Sequence, residues 1–223
     1  MARIRWLGHA GFEINFEDKI VLVDPWLNGN PKAACKPSDI EKADIVCVTH
    51  DHGDHLGDSV EICKRTGAVF IGTYELASYA QKHGVENTMG FNIGGSVEVK
   101  GIRITMVQAF HTCSSGAPTG YIISGEGKTV YHAGDTGIFG DMRLIGELYK
   151  PHVALLPIGD YYTMGAFQAS EAVRLIKPKI VVPMHYMTFP VLAQSAEEFL
   201  RLVKEKTPEV KVVVLNPGES FEV

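Results

Sequence analysis

His50-Asp-His-Gly-Asp-His55 follows directly on the apolar run Asp44-Ile-Val-Cys-Val-Thr49. The six residues crowd three imidazoles and the carboxylate of Asp54 into about one turn of chain, at a desolvation cost that a core does not carry without compensation. Neutral imidazole and carboxylate are the preferred ligands of zinc and its first-row neighbours. The pattern His-x-His-x-Asp-His at the end of a buried strand therefore reads as a metal site. The fold must bring further ligands to that strand end.

Working outward, period-two alternation marks Arg3-Ile-Arg-Trp-Leu7 and Phe12-Glu-Ile-Asn-Phe16 as half-buried strands. Lys19-Ile-Val-Leu-Val-Asp24 reads as a strand buried on both faces. The breaker-rich segment 25–37 reads as a long surface loop. Past the motif, residues 59–65 form a helix capped by Asp58 or Ser59, followed by a strand at 68–72 and a helix at 74–83. Strands follow at 96–100 and 102–108, then a hairpin of 120–124 with 129–132. From there strand and helix alternate: helices at 141–149, 168–177 and 196–206, strands at 153–157, 180–184 and 210–215. With no linker and no low-complexity segment, this predicts one α/β domain over 1–223, its sheets covered by helices on the outside.

In layered α/β folds, functional residues gather beyond the carboxyl ends of strands. His50 follows the strand 44–49, His111 the strand 102–108, Asp135 the strand 129–132 and His185 the strand 180–184. Four such ends at one edge would supply His50, His52, Asp54, His55, His111, Asp135 and His185. Seven ligands exceed a closed four-coordinate zinc site and suit two metals sharing one carboxylate. Gly53, Gly57, Gly134 and Gly137 are expected to permit the tight backbone paths this requires.

Composition narrows the partners. The 223 residues are 45% hydrophobic and carry a net charge of -5, which argues against a general affinity for nucleic-acid backbones and leaves room for a local basic patch. The longest apolar runs are strand-sized, so no membrane partner is expected, and the N-terminus has no signal-peptide pattern. Four cysteines without paired spacing read as reduced thiols and a cytoplasmic location. Homo-oligomerisation is left open.

The motif 50–55, followed in order by His111, Asp135 and His185, resembles the metallo-β-lactamase superfamily of metal-dependent hydrolases. Five further segments are similar to a branch of small hydrolases related to ascorbate-6-phosphate lactonase. They are Trp6-Leu-Gly-His-Ala10, Asp24-Pro-Trp-Leu-Asn-Gly-Asn30, Tyr131-His-Ala-Gly-Asp-Thr136, Leu156-Pro-Ile-Gly-Asp-Tyr-Tyr-Thr-Met-Gly165 and Lys177-Pro-Lys-Ile-Val-Val-Pro-Met-His185. The resemblance spans nearly the whole chain. It implies an αββα sandwich of two mixed sheets with the metals at one edge. It assigns His50, His52 and His111 to one ion, Asp54, His55 and His185 to the other, and Asp135 to both. The segment Gly165-Ala-Phe-Gln168, where relatives often carry Pro and acidic residues, departs from the pattern and bears on substrate preference.

The implied reaction is hydrolysis of an ester-type bond (lactone, phosphoester or phosphodiester) in a small substrate, by a hydroxide bridging two divalent ions. Zinc is the default by ligand type, with manganese, nickel and iron compatible. Asp54 would also orient the water. The leaving group needs a proton, for which His9 and the turn Asp160-Tyr161-Tyr162 are candidates, although His9 serves equally well as a buried histidine bonded to backbone. Cys113 has no ligand position left to fill, and His83, His132 and His152 read as structural. Trp26 to Pro37, Ser114 to Pro118 and Asp160 to Phe167 are expected to wall a partly apolar pocket, with Thr119 beside them. The relatives carrying flavin, helical substrate or nucleic-acid-binding domains do not match a chain of this length. The rival reading is a non-catalytic metal-binding or regulatory module on the same fold, which a lost ligand would favour; none is lost.

Overall fold

In the computed structural model, which describes residues 1–223, the N-terminal alternation becomes a meander of β1 (Ala2–Gly8), β2 (Gly11–Phe16) and β3 (Lys19–Val23). These pair antiparallel, with Ile4 opposite Ile14 and Ile14 opposite Val21. β4 (Ile45–Cys47), β5 (Val69–Thr73) and β6 (Thr88–Phe91) then add in parallel. Between them come α1 (Gly53–Leu56), α2 (Ser59–Thr66) and α3 (Tyr74–Lys82).

The second half repeats this plan. β7 (Ser96–Val99), β8 (Ile102–Gln108), β9 (Thr119–Gly125) and β10 (Lys128–His132) are antiparallel. β11 (Val153–Pro157), β12 (Ile180–Met184) and β13 (Lys211–Val212) extend them in parallel. The crossovers are α4 (Met142–Tyr149), α5 (Ala166–Ile176) and α6 (Glu197–Lys206). A last strand, β14 (Ser220–Glu222), returns to the first sheet and pairs antiparallel with β1. Each sheet thus has seven strands, ordered β14-β1-β2-β3-β4-β5-β6 and β13-β12-β11-β10-β9-β8-β7.

Alternation along the strands sorts side chains between layers. Val21, Val23, Ile45, Cys47 and Ile71 join the large core shared with Ile104, Tyr121, Tyr131 and Leu155 of the second sheet. Leu22, Val46 and Phe70, one residue out of phase, pack instead with Ile62 of α2 and Leu76 of α3. The parallel strands β4, β11 and β12 bury both faces, which is why they read as unbroken apolar runs. No helix is long and apolar enough to cross a membrane. All four cysteines are free, Cys47 and Cys63 being buried.

Several expected bounds shift. α5 starts two residues before the expected 168, and the strand expected over 210–215 keeps ladder pairing only at Lys211–Val212. α1, β6 and β14 have no counterpart in the sequence reading; they are short and, for β6 and β14, mostly exposed or half-buried. Asp58 sits at the N-cap of α2 without capping it. Its carboxylate instead accepts from the Leu27 and Asn28 amides, at 2.7 and 2.9 Å, and ties down the loop after β3.

Candidate metal centre

Four strand ends meet at one edge of the sandwich. His50 follows β4, His52 stands at the N-cap position of α1, and Asp54 and His55 lie within that single turn. His111 follows β8, Asp135 follows β10 and His185 follows β12. Their ligand atoms form three overlapping clusters, each within 4.8 Å: His50, His52 and His111; His50, His55 and Asp135; and His9, Asp54, His55 and His185. All seven expected residues are brought together, and His9 joins them.

Asp135 is the hub. Its Oδ2 lies 3.0 Å from His185 Nε2, 3.2 Å from His55 Nε2 and 3.6 Å from His111 Nε2. On one side His50 Nε2 stands 2.9 Å from His52 Nδ1. On the other, Asp54 Oδ2 is 4.0 Å from both His55 Nε2 and His185 Nε2. His55 Nε2 and Asp135 Oδ1 are buried with no hydrogen-bond partner. Buried polar atoms are rarely left so. Two orphaned atoms aimed at a nest of imidazole nitrogens fit a divalent first-row ion, by donor type and by burial.

The electrostatics agree with that fit. Burial would lower His55, but Asp135 and Asp24 on its two sides outweigh it and hold it well above the ordinary imidazole value. Burial would raise Asp135, but His185 and His55 hold it well below the carboxylate range. Asp54 is likewise kept low, burial being outweighed by the hydrogen bond from His9 and by His55. Burial pushes His50 down to about 2, with His55 adding to the effect, and lowers His111 as well. Ligation requires neutral imidazoles beside ionised carboxylates; His50, His111, Asp54 and Asp135 are already held so, whereas an ion would have to displace the proton of His55.

Residues behind the ligands aim them. Asp24, fully buried at the end of β3, accepts from His55 Nδ1 at 2.7 Å, which leaves Nε2 facing inward. Its carboxylate also accepts from the Thr49 amide (2.8 Å) and hydroxyl (2.6 Å), and Thr49 Oγ1 lies 3.0 Å from His50 Nδ1. Asp24 opens the segment Asp24-Pro-Trp-Leu-Asn-Gly-Asn30 and is not among the seven expected ligands. It obeys the same strand-end rule that located the ligands. His9 is fully buried. Its Nε2 meets Asp54 Oδ2 at 3.0 Å and its Nδ1 meets Thr188 Oγ1 at 2.5 Å. It does not line the cavity, so it is not placed to hand a proton directly to a leaving group.

Of the four glycines expected to shape the site, two do so. Gly134 has φ +62° and a Cβ there would run into the Thr119 carbonyl; Gly57 has φ +43° and a Cβ would stand 2.6 Å from Trp26 Cα. Gly53 has no atom near its would-be Cβ, and Gly137 meets only the Phe110 carbonyl at 3.9 Å. Those two positions are open.

A cavity of about 840 Å³ opens over the ligands, lined by His52, Asp54, His111, Asp135 and His185 and walled by Trp26, Tyr162, Phe189, Pro190 and Val191, with Gly53 and Thr112 completing it. The expected walls are only partly right. Trp26 and Tyr162 contribute, whereas nothing from 114–118 does. Ser114 spends its amide on Asp51 at 2.9 Å, and Thr119 is buried against the Thr49 carbonyl. Phe167 faces away, its ring under Lys206 at 4.1 Å. The segment 189–191 takes that place, held by hydrogen bonds from the Leu192 amide and the Gln194 side chain to the Phe189 carbonyl. Phe189 stacks on Trp26 with centroids 5.7 Å apart.

Cys113 belongs to none of the ligand clusters and His132 is a core histidine bonded to the Ala10 carbonyl at 2.8 Å. His152 is half-buried and accepts from the Thr129 amide, and His83 is exposed at the end of α3. A separate cleft lined by Arg143, Lys150, Arg174, Lys177 and Lys179 lies by the opposite strand ends, where β11 and β12 begin and α4 and α5 stop. Cations there complement two helix C-termini.

Comparison with known proteins shows the family. Residues 3–185 match the family model described as beta-lactamase superfamily domain. The chain is 56% identical to the UPF0173 metal-dependent hydrolase of Methanopyrus kandleri, over 99% of each chain. It is 50% identical to that of Thermococcus kodakarensis over the full length of both. Among solved structures, Igni18, a metallo hydrolase from Ignicoccus hospitalis, superimposes with a TM-score of 0.93 at 42% identity, covering 100% of this chain and 99% of that one.

Proposed function

The chain belongs to the beta-lactamase superfamily as one of its metal-dependent hydrolases, and on that premise we propose a dinuclear centre that cleaves an ester-type bond in a small, uncharged substrate. One observation carries the reading: a single carboxylate oxygen, Asp135 Oδ2, stands between imidazoles from both halves of the chain, with ligand groups on either side of it. His50, His52 and His111 would hold one ion; Asp54, His55 and His185 would hold the other; Asp135 would serve both. Bound there, two divalent ions supply Lewis acidity and a water acidified to a pKa of roughly 7, the source of the attacking hydroxide.

The remaining work falls to the chain. Asp54, held by His9, presents its carboxylate to the cavity and orients the water. Asp24 fixes the ring of His55. Thr112 and Tyr162 carry the only hydroxyls lining the cavity, so they or solvent pass a proton to the leaving group. Trp26, Phe189, Pro190 and Val191 exclude water from one side. Zinc is the first choice of ion by ligand type.

Substrate class follows from what lines the cavity. No Lys or Arg reaches it, so a phosphomonoester dianion finds no cationic side chain to pair with. Among lactone, phosphoester and phosphodiester, this favours a lactone or another uncharged ester. The free cysteines suit a reducing cytoplasm. A panel of zinc-loaded assays tests the reading: uncharged aryl esters and lactones should turn over and phosphomonoesters should not. A preference for phosphomonoesters would refute the substrate class. Inactivity of fully metal-loaded protein on every ester would refute the chemistry.

A further inference from the structure

The group His9, Asp54, His55 and His185 has the composition of a complete four-ligand site, yet hydrogen bonding around His9 points to a different use for it. His9 is pinned at the backbone. It has φ +56°, and its carbonyl accepts from Trp6 Nε1 at 2.9 Å and from the His185 amide at 3.0 Å. Its ring is wedged between His185, centroids 3.9 Å apart, and Phe189 at 5.4 Å. The orientation is therefore fixed, and what remains to be set is which ring nitrogen carries the proton.

Two neighbours decide that. Asp54 is a carboxylate and can only accept, so the 3.0 Å contact from His9 Nε2 requires a proton on Nε2. Thr188 is buried, 7% exposed, and its hydroxyl has no hydrogen-bond partner other than His9 Nδ1. A buried hydroxyl left without an acceptor is costly, and Nδ1 of a neutral imidazole protonated at Nε2 offers the lone pair it needs. Both ends of the ring specify the same tautomer. The turn that delivers Thr188 is itself constrained: His185 and Met187 have φ of +56° and +66°, and the Met187 amide bonds the Ala193 carbonyl at 2.9 Å.

We propose that Thr188 is a positioning residue: its hydroxyl donates to His9 Nδ1, locks His9 as the Nε2–H tautomer, and so makes His9 the brace of Asp54 rather than a metal ligand. The proposal rests on Asp54 being a ligand and adds a chain behind it, Thr188 to His9 to Asp54. It also assigns a purpose to the loop that follows His185, in which the residue after Thr188, Phe189, forms part of the cavity wall.

The test reads the tautomer directly, by heteronuclear NMR of the histidine ring nitrogens in metal-free and zinc-loaded protein. His9 should show a protonated Nε2 and a bare Nδ1 in both. Thr188→Val leaves Asp54 to hold the Nε2 proton but strips Nδ1 of its donor, so it should shift the Nδ1 resonance and admit a detectable Nδ1-protonated fraction, lower kcat on 4-nitrophenyl acetate roughly 10-fold and leave KM and zinc content unchanged; Thr188→Ser should restore the parent spectrum and kcat. A proton on Nδ1, or on both nitrogens, in the parent overturns the proposal, as does a Val variant indistinguishable from the parent. Should Thr188→Val not fold, the tautomer of the parent decides alone. Metal analysis separates the two readings: a chain that takes up no metal sinks the dinuclear centre, while the metal-free spectrum still judges Thr188.

Discussion

His55 turns its Nδ1 onto Asp24 Oδ2 at 2.7 Å, with neither side chain exposed. The contact fixes which ring nitrogen is left for the centre. Because Asp24 also accepts from Thr49, which in turn touches His50, one carboxylate governs two imidazoles.

Asp24→Asn should accordingly weaken zinc binding by about 10–100-fold, the range for loss of an outer partner to a ligating histidine. Competition with a chromogenic chelator measures it. An unchanged affinity would show that His55 needs no such support.

Asp135→Ala should release more than one equivalent of metal, since the residue touches ligands of both proposed ions. Metal analysis after reconstitution of the parent should approach two equivalents per chain. A parent that saturates at one equivalent under excess zinc would reduce the centre to a single ion.

Phe189→Ala and Tyr162→Ala should shift the preference between bulky and small esters by about 10–200-fold, equivalent to about 1–3 kcal/mol of pocket contact, without loss of metal. Phe167→Ala is the control: its ring lies under Lys206, so preference should not move. Equal shifts in all three would mean that the wall residues have been misidentified.

Asp44, far from the centre in sequence role though close to β4, carries a pH dependence of its own. Burial would raise its carboxyl, but the Ile20 amide and the Lys100 ammonium outweigh it and hold it below the usual value. A depressed folded-state pKa stabilises the fold above the unfolded value, and that contribution drains away as pH falls through the folded one. Urea unfolding from about pH 7 to about pH 3 should show a steeper acid loss for the parent than for Asp44→Asn. Parallel curves would remove Asp44 from the account.

The ligands were legible because each follows a strand buried over most of its length, and such strands read as largely apolar runs with polar residues abruptly past their ends. Asp24 satisfies the same rule after β3, but a single Asp before Pro25 also reads as an ordinary turn. Phe189 carries no periodic signal, being fixed by hydrogen bonds within its own loop. Phe167 misled for the opposite reason: an aromatic just past a breaker-rich segment reads as rim, and only the packing of α5 against α6 turns it toward Lys206. β14 was invisible because its partner, β1, stands at the other end of the chain.

Asp135 comes from the second sheet, and His55 from the first. Before the two halves dock, that carboxylate has no imidazole from the other side. If the sheets met out of register, Asp135 would keep His185 and His111 of its own half but lose His55, and His55 would be left without that carboxylate. Assembly of the sandwich is therefore checked at the point where its chemistry is performed, and folding of the two halves is drawn toward a single all-or-none event.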